Sequence, residues 1–209
     1  AWVDRGGALR VGPQSASAAP GPACYGRGGG KPTVTDATVV LGYMNPEEIA
    51  GATISIDRDA AWDAIEHNIA SPLGLPVLHA ALGITQVANA TMMRALRAVS
   101  TERGRDPRDC TMIAFGGAGP VHAAALADSL GIGKVVVPLY PGLFSALGLL
   151  LADYRHDYIK SFAKPLDHSD AGEISEAYDV LRQSAFAEFK KEGIPRERVQ
   201  LLREADMKY

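Results

Sequence analysis

Only two cysteines, Cys24 and Cys110, occur in the 209 residues, too few for a disulfide-stapled framework, so the expected compartment is the reducing cytoplasm. No apolar run approaches the ~20 residues that span a bilayer, and a membrane-embedded chain is not expected. The sequence also lacks a basic field: the formal net charge is -3 and the pI is near 6.0, which gives nucleic acid and anionic lipid nothing to attract them. No internal repeat or low-complexity segment is present. The chain opens on Ala1 with neither Met nor a signal-peptide profile and stops after "RVQLLREADMKY", so both ends are expected to be cuts in a longer polypeptide.

Apolar residues make up 47% and charged residues 22% of the chain, enough for a core of ordinary size in one domain or a little more. Residues 1–11 alternate around Asp4-Arg5-Gly6-Gly7, which fits a hairpin with a glycine turn. A Gly/Pro-rich stretch, "GPQSASAAPGPACYGRGGGKPTVT" (12–35), follows. A loop of this length inside a domain is expected to be functional, because Cys24 and Tyr25 are not spacer residues. A short helix is expected over 35–44, capped by Thr35 or Asp36, and a second from Asp57 or Asp59 to about Ala70. From Pro76 to about Thr101, Ile84, Ala88, Met92, Leu96 and Val99 recur at helical spacing and form one apolar stripe.

"CTMIAF" (110–115) reads as a strand buried on both faces, and "KVVVP" (134–138) as the next. Between them a glycine-rich turn leads into a helix over Val121–Leu130 that Gly131 stops. This strand-turn-helix-strand order is the crossover unit of a parallel sheet, so the fold class is α/β. Further helices are expected from Pro141 and over 171–193. "YRHDYIKSF" and the C-terminal "RVQLLREADMKY" have the look of strands.

At Gly116-Gly117-Ala118-Gly119-Pro120 the chain leaves a strand and enters a helix, where free N–H groups and the positive dipole end can receive an anion. The spacing is not G-x-G-x-x-G, and no Lys-Ser/Thr closes the run as in a P-loop. A turn that binds nothing fits the pattern equally.

The segments "RVGPQSASAAPGPACYGRGGGKPTVTDATVVLGYMNP", "VANATMMRALRAVSTERGRDPRDCTMIAFGGAGPVHAAALADSLGIGKVVVP" and "PGLFSALGLLLADYRHDY" together resemble the hydantoinase A / 5-oxoprolinase family. The resemblance implies an incomplete ribonuclease-H-like lobe of the actin, Hsp70 and sugar-kinase ATPases. It assigns Gly116, Gly117 and Gly119 to the adenosine side of a site for ATP with Mg²⁺. The implied activity is ATP-dependent hydrolysis of a cyclic amide. ATP-dependent ketone carboxylation, or a non-catalytic assembly module, are the alternatives. The family's two Asp-Gly-Gly-Thr-like phosphate loops are missing here, and Asp4-Arg5-Gly6-Gly7 has Ala8 where Thr or Ser is needed. Residues 1–165 are therefore expected to be the C-terminal part of a hydantoinase A domain, and 166–209 to lead into a following region. A B-type partner subunit follows from the same resemblance, and because an incomplete lobe leaves open sheet edges and uncovered faces, an oligomeric assembly is expected. The catalytic residues are expected outside this chain.

Cys24, Asp36 and His122 could converge on a Zn²⁺-like ion, since thiolate, carboxylate and imidazole suit it. The alternative has each packed or capping. Arg94 and Arg97 lie on the long helix that, by analogy with related ATPases, passes the adenine. His156 and Asp157 in "RHDY" resemble a family motif but offer no base with an orienting partner. Cys110 is expected to be an inert core thiol, and His67, His79 and His168 to be surface residues.

Overall fold

Asp4 organises the N-terminal hairpin. Its Oδ1 accepts the N–H groups of Gly6 and Ala8 at 3.0 and 2.9 Å, while Gly7 takes φ +80°, a conformation that a side chain disfavours. The flanking strands β1 (Trp2–Val3) and β2 (Leu9–Arg10) pair antiparallel with Trp2 opposite Arg10. In the computed structural model residues 1–45, 55–165 and 168–207 are described, and they fall into two compact units, Ala1–Leu150 and Leu151–Tyr209.

In the first unit the long loop enters a 3₁₀ turn (Ala23–Tyr25) that buries Ala23 and Cys24, then helix α1 (Val34–Val40). The cap of α1 is Thr33 rather than Thr35 or Asp36. Asp36 sits three residues on, and its Oδ2 accepts from the Thr33 N–H while its own N–H donates to the Thr33 hydroxyl, a capping box. Helix α2 (Arg58–Ile65) starts on Asp57, whose Oδ1 accepts from the Ala60 N–H at 2.9 Å, and runs through a wide turn (Glu66–Ala70) into the short α3 (Ser71–Leu73). Helix α4 (Val77–Val99) follows, with Pro76 at its N-cap.

The core forms where α1, α2 and the first half of α4 meet, around Val39, Val40, Ile65, Ile69 and Ile84. Along the apolar stripe of α4, Ile84 and Ala88 are buried, Met92 and Leu96 half-buried, and Val99 exposed. The stripe is continuous in sequence, but the helix outruns the core it serves.

The crossover unit is present: β3 (Thr111–Ile113), α5 (Gly119–Leu130) and β4 (Lys134–Val136), with β3 and β4 parallel and Met112 opposite Val135. Its strands are not buried on both faces as the sequence predicts. Ile113 is 54% exposed and every residue of β4 is exposed, because the sheet has two strands among the described residues and its main packing partner is the single helix α5. A 3₁₀ turn (Pro141–Leu143) leads into α6 (Phe144–Leu151), which has no charged residue and no buried one.

In the second unit residues 152–163 form no regular structure, so the strand expected in "YRHDYIKSF" is absent, as is the C-terminal one through residue 207; residues 208 and 209 lie outside the described residues. Neither segment finds a neighbouring strand to satisfy its backbone groups. The first is held instead on helix α7 (Ala171–Lys191) and the turn after it: Tyr158 OH donates to Glu188, and the His156 ring meets Glu192 at 3.1 Å. Among the described residues no single helix is long and apolar enough to cross a membrane.

Candidate functional site

The glycine turn is built by the elements on either side of it. β3 ends as the Ala114 N–H donates to the Val136 carbonyl at 2.9 Å, and Phe115 then leads out of the strand. Gly116 takes φ +83°, and its N–H donates to the Pro141 carbonyl at 2.7 Å. Glycine is required at 116 by conformation alone. At Gly117 and Gly119 the case differs: neither has a positive φ, and an added Cβ would meet no atom within 4 Å at either position. The fold does not demand glycine there, and the space above both is open.

Helix α5 begins at Gly119 with Pro120 in its first turn, and no side chain caps it. Pro120 has no N–H, and the Val121 N–H donates to the Ala118 carbonyl at 3.1 Å; what the helix start offers an anion is the positive end of its dipole beneath the open glycine backbone. His122 is the first buried residue of the helix, at 5% exposure. Its Nδ1 lies 2.7 Å from Oδ1 of Asn89, thirty-three residues earlier on α4. Burial holds the imidazole pKa below its ordinary value, so the ring is kept neutral.

The structure corrects the expected three-ligand metal set. Among the described residues no group of three His, Cys, Asp or Glu side chains is placed to hold a metal ion. Asp36 is fully buried and occupied: it accepts from the N–H groups of Ala23 (3.3 Å), Cys24 (2.8 Å) and Thr33 (2.8 Å), and from the Thr33 hydroxyl (2.8 Å). Cys24 packs in the helical core, and burial first, then the Asp36 charge, push its thiol well above the ordinary range. A group that resists ionisation is a poor metal ligand. His122 faces Asn89 instead. The loop around Cys24 is thus fastened by Asp36 as a structural knot.

This knot has a pH signature. The folded protein holds the Cys24 proton where the unfolded chain releases it near pH 9, so stability is full below that pH and falls as pH rises through and beyond it. Urea midpoints measured between pH 7 and 10.5 are expected to decline on the alkaline side. In Cys24→Ala the Cys24 part of that decline should vanish, and equal alkaline slopes in both proteins would refute the assignment.

Arg94 is exposed and donates to the Thr91 hydroxyl at 3.1 Å, and Arg97 is exposed in the last turn of α4. Asp157 pairs with Arg155 at 2.8 Å, both well exposed. Cys110 is exposed, not a core thiol, because it follows a 3₁₀ turn (Pro107–Asp109) at the margin of the two-stranded sheet. Two features escape the sequence reading: the Thr33/Asp36 capping box, which its T-x-x-D spacing could have shown, and Asn89, whose partner is set only by tertiary packing.

A glycine-rich strand-to-helix turn with open space over two of its glycines defines an α/β segment suited to an anionic ligand. The comparisons with known proteins name the family. The Hydantoinase/oxoprolinase profile matches residues 1–158, and the chain belongs to that family. It is 46% identical over 209 residues to an uncharacterized protein of Methanocaldococcus jannaschii, covering 100% of this chain and 30% of that one. To the caprolactamase subunit alpha of Pseudomonas jessenii it is 41% identical over 195 residues, 92% of this chain and 28% of that one. Among solved structures, the nucleotide-free acetone carboxylase from a study of ATP-dependent acetone carboxylation superposes with a TM-score of 0.75 at 32% identity, over 94% of this chain and 29% of that one. The chain spans under a third of the length of these proteins.

Proposed function

We propose that these residues supply the adenosine side of the nucleotide site in a longer ATP-dependent enzyme of the hydantoinase A type, built on a ribonuclease-H-like lobe. The observation that carries the reading is the open backbone at Gly117 and Gly119 over an uncapped helix start. Adenosine and the α-phosphate would lie there, with Gly116 shaping the turn and Arg94 and Arg97 on the helix alongside. In this reading residues 1–165 belong to the ATPase part and 166–209 lead onward, in a cytoplasmic protein.

The substrate class is a cyclic amide. Its carbonyl resists water because nitrogen is a poor leaving group. Phosphorylation of the carbonyl oxygen by ATP gives an imidate phosphate whose carbon water can attack, opening the ring. ATP acts with Mg²⁺ in such chemistry. The groups that hold Mg²⁺ and the γ-phosphate belong, on this reading, to the part carrying the two phosphate loops. The likeness to acetone carboxylase favours a second reading, in which the phosphoryl acceptor is an enolate or bicarbonate.

Exposed apolar surface supports the view that the segment works inside a larger assembly. Leu149 and Leu150 of α6 are 80% and 83% exposed, and a helix apolar all round is ordinarily covered. A B-type subunit is the proposed partner, since relatives are named as subunits. That surface equally fits a non-catalytic assembly module.

The experiment is phosphate release from ATP by the purified 209-residue chain, alone and joined to an N-terminal part that carries the two phosphate loops. No sustained release is expected from the chain alone, because phosphoryl transfer depends on positioning metal and γ-phosphate. Turnover by the isolated chain would overturn the half-site reading, and nucleotide binding without turnover in every joined form would favour the module.

A further inference from the structure

The segment Gly117-Ala118-Gly119 is held at its two ends by polar contacts to different parts of the first unit. On the strand side, the Gly116 N–H is fixed to the Pro141 carbonyl at 2.7 Å. On the helix side no side chain caps the turn, Pro120 has no N–H to donate, the Val121 N–H closes only the local turn onto the Ala118 carbonyl at 3.1 Å, and Gly119, Pro120 and Val121 are only half-buried. The first firm anchor of α5 is His122, through its 2.7 Å contact with Asn89 on α4. Asn89 Oδ1 is an acceptor, so the bonded Nδ1 carries the proton and Nε2 the lone pair. The tautomer is set by a residue that lies outside the glycine motif altogether.

We infer that Asn89 is a positioning residue for the glycine turn: its amide oxygen locks the His122 ring, and the locked ring sets where the first turn of α5 stands relative to α4. It touches no ligand in this role. An aliphatic side chain at 89 would leave the buried Nδ1–H without an acceptor, and the ring would turn to find water, carrying the helix start with it. This inference rests on the proposed nucleotide site for its consequence but not for its geometry. The consequence is that affinity at the turn depends on a hydrogen bond made behind it.

The test uses the ¹⁵N-labelled 209-residue protein and its Asn89→Ala and Asn89→Asp variants. Asn89→Ala is expected to move the backbone amide resonances of Gly117 and Gly119 and to shift the His122 ring nitrogens away from the Nδ1–H tautomer. Asn89→Asp keeps an oxygen acceptor and should return the glycine amides toward their wild-type positions. A lowered melting temperature in Asn89→Ala with unmoved glycine amides would reduce the contact to packing and overturn the inference, as would failure of Asn89→Asp to restore them. Should Asn89→Ala not fold, Asn89→Ser, too short to reach the ring, carries the same comparison. ATP is then titrated into each protein, with a loss of about tenfold in affinity expected for Asn89→Ala, about 1.4 kcal/mol. If wild-type amides ignore ATP, the nucleotide reading falls by itself, while the glycine amides still decide the role of Asn89.

Discussion

Asp36→Ala is expected to destabilise the first unit by ~3 kcal/mol or more, the largest effect of any substitution argued from this fold. The carboxylate is wholly buried and is the common acceptor for the N–H groups of Ala23, Cys24 and Thr33 and for the Thr33 hydroxyl. Removing it leaves buried donors without partners, at about 1–3 kcal/mol each where water cannot replace the lost acceptor. It also undoes half of the capping box of α1, worth about 1 kcal/mol by itself. Against a typical total stability of about 5–15 kcal/mol, such a loss is large. Asp36→Asn keeps the shape but turns an NH₂ toward backbone N–H donors, so it should recover only part of the stability. Urea unfolding followed by circular dichroism measures both. A shift in Asp36→Ala equivalent to less than about 1 kcal/mol, the size of a single ordinary hydrogen bond, would show that the knot is not what holds the loop.

Local signals in the sequence carry through to the structure where a short stretch decides its own conformation. The Asp4 hairpin, the start of α2 at Asp57 and the stop of α5 at Gly131 depend on residues within a few positions of one another. The strand-helix-strand order from Thr111 to Val136 also follows from local pattern, since apolar runs separated by a glycine turn and a helix pair in parallel. Burial is a different matter. Val135, Val136 and Ile113 have the composition of a covered strand, yet what covers a strand lies far away in the chain or beyond it, and here they are exposed. For the same reason the two cysteines read the wrong way at one position: Cys24, in a glycine-rich loop, is fully buried, while Cys110, beside an apolar run, is exposed.

The glycine turn is legible in the sequence, while the engagements of the polar residues are not. Gly116, Gly117 and Gly119 stand at a turn because strand and helix meet there, which the pattern contains. Cys24, Asp36 and His122 were brought together by chemical affinity for a metal, but each finds a nearer partner once the loop folds. Thr33 and two backbone N–H groups in the Ala23–Tyr25 turn claim Asp36, and Asn89 claims His122. Chemical type alone cannot reveal such prior engagements, because they are set by packing between helices.

Gly117→Val is the second large effect. The fold has room for the side chain, with ordinary φ and no atom within 4 Å of the new Cβ, so stability should change by less than about 0.5 kcal/mol, as for other exposed substitutions. The added isopropyl group would nevertheless stand on the backbone surface where the proposed ligand lies. Gly116 cannot serve for this purpose, because its φ of +83° makes any substitution strained and mixes a folding defect with a binding one. Gly117 separates the two.

The decisive measurement is the ATP dissociation constant of a full-length hydantoinase A protein carrying these residues, determined by titration calorimetry for the wild type and Gly117→Val with their melting temperatures alongside. The melting temperatures are expected to agree and the Gly117→Val constant to rise by about tenfold or more, a loss of at least about 1.4 kcal/mol. An unchanged constant in a protein that binds ATP would contradict it, and would leave the turn a structural connection between strand and helix.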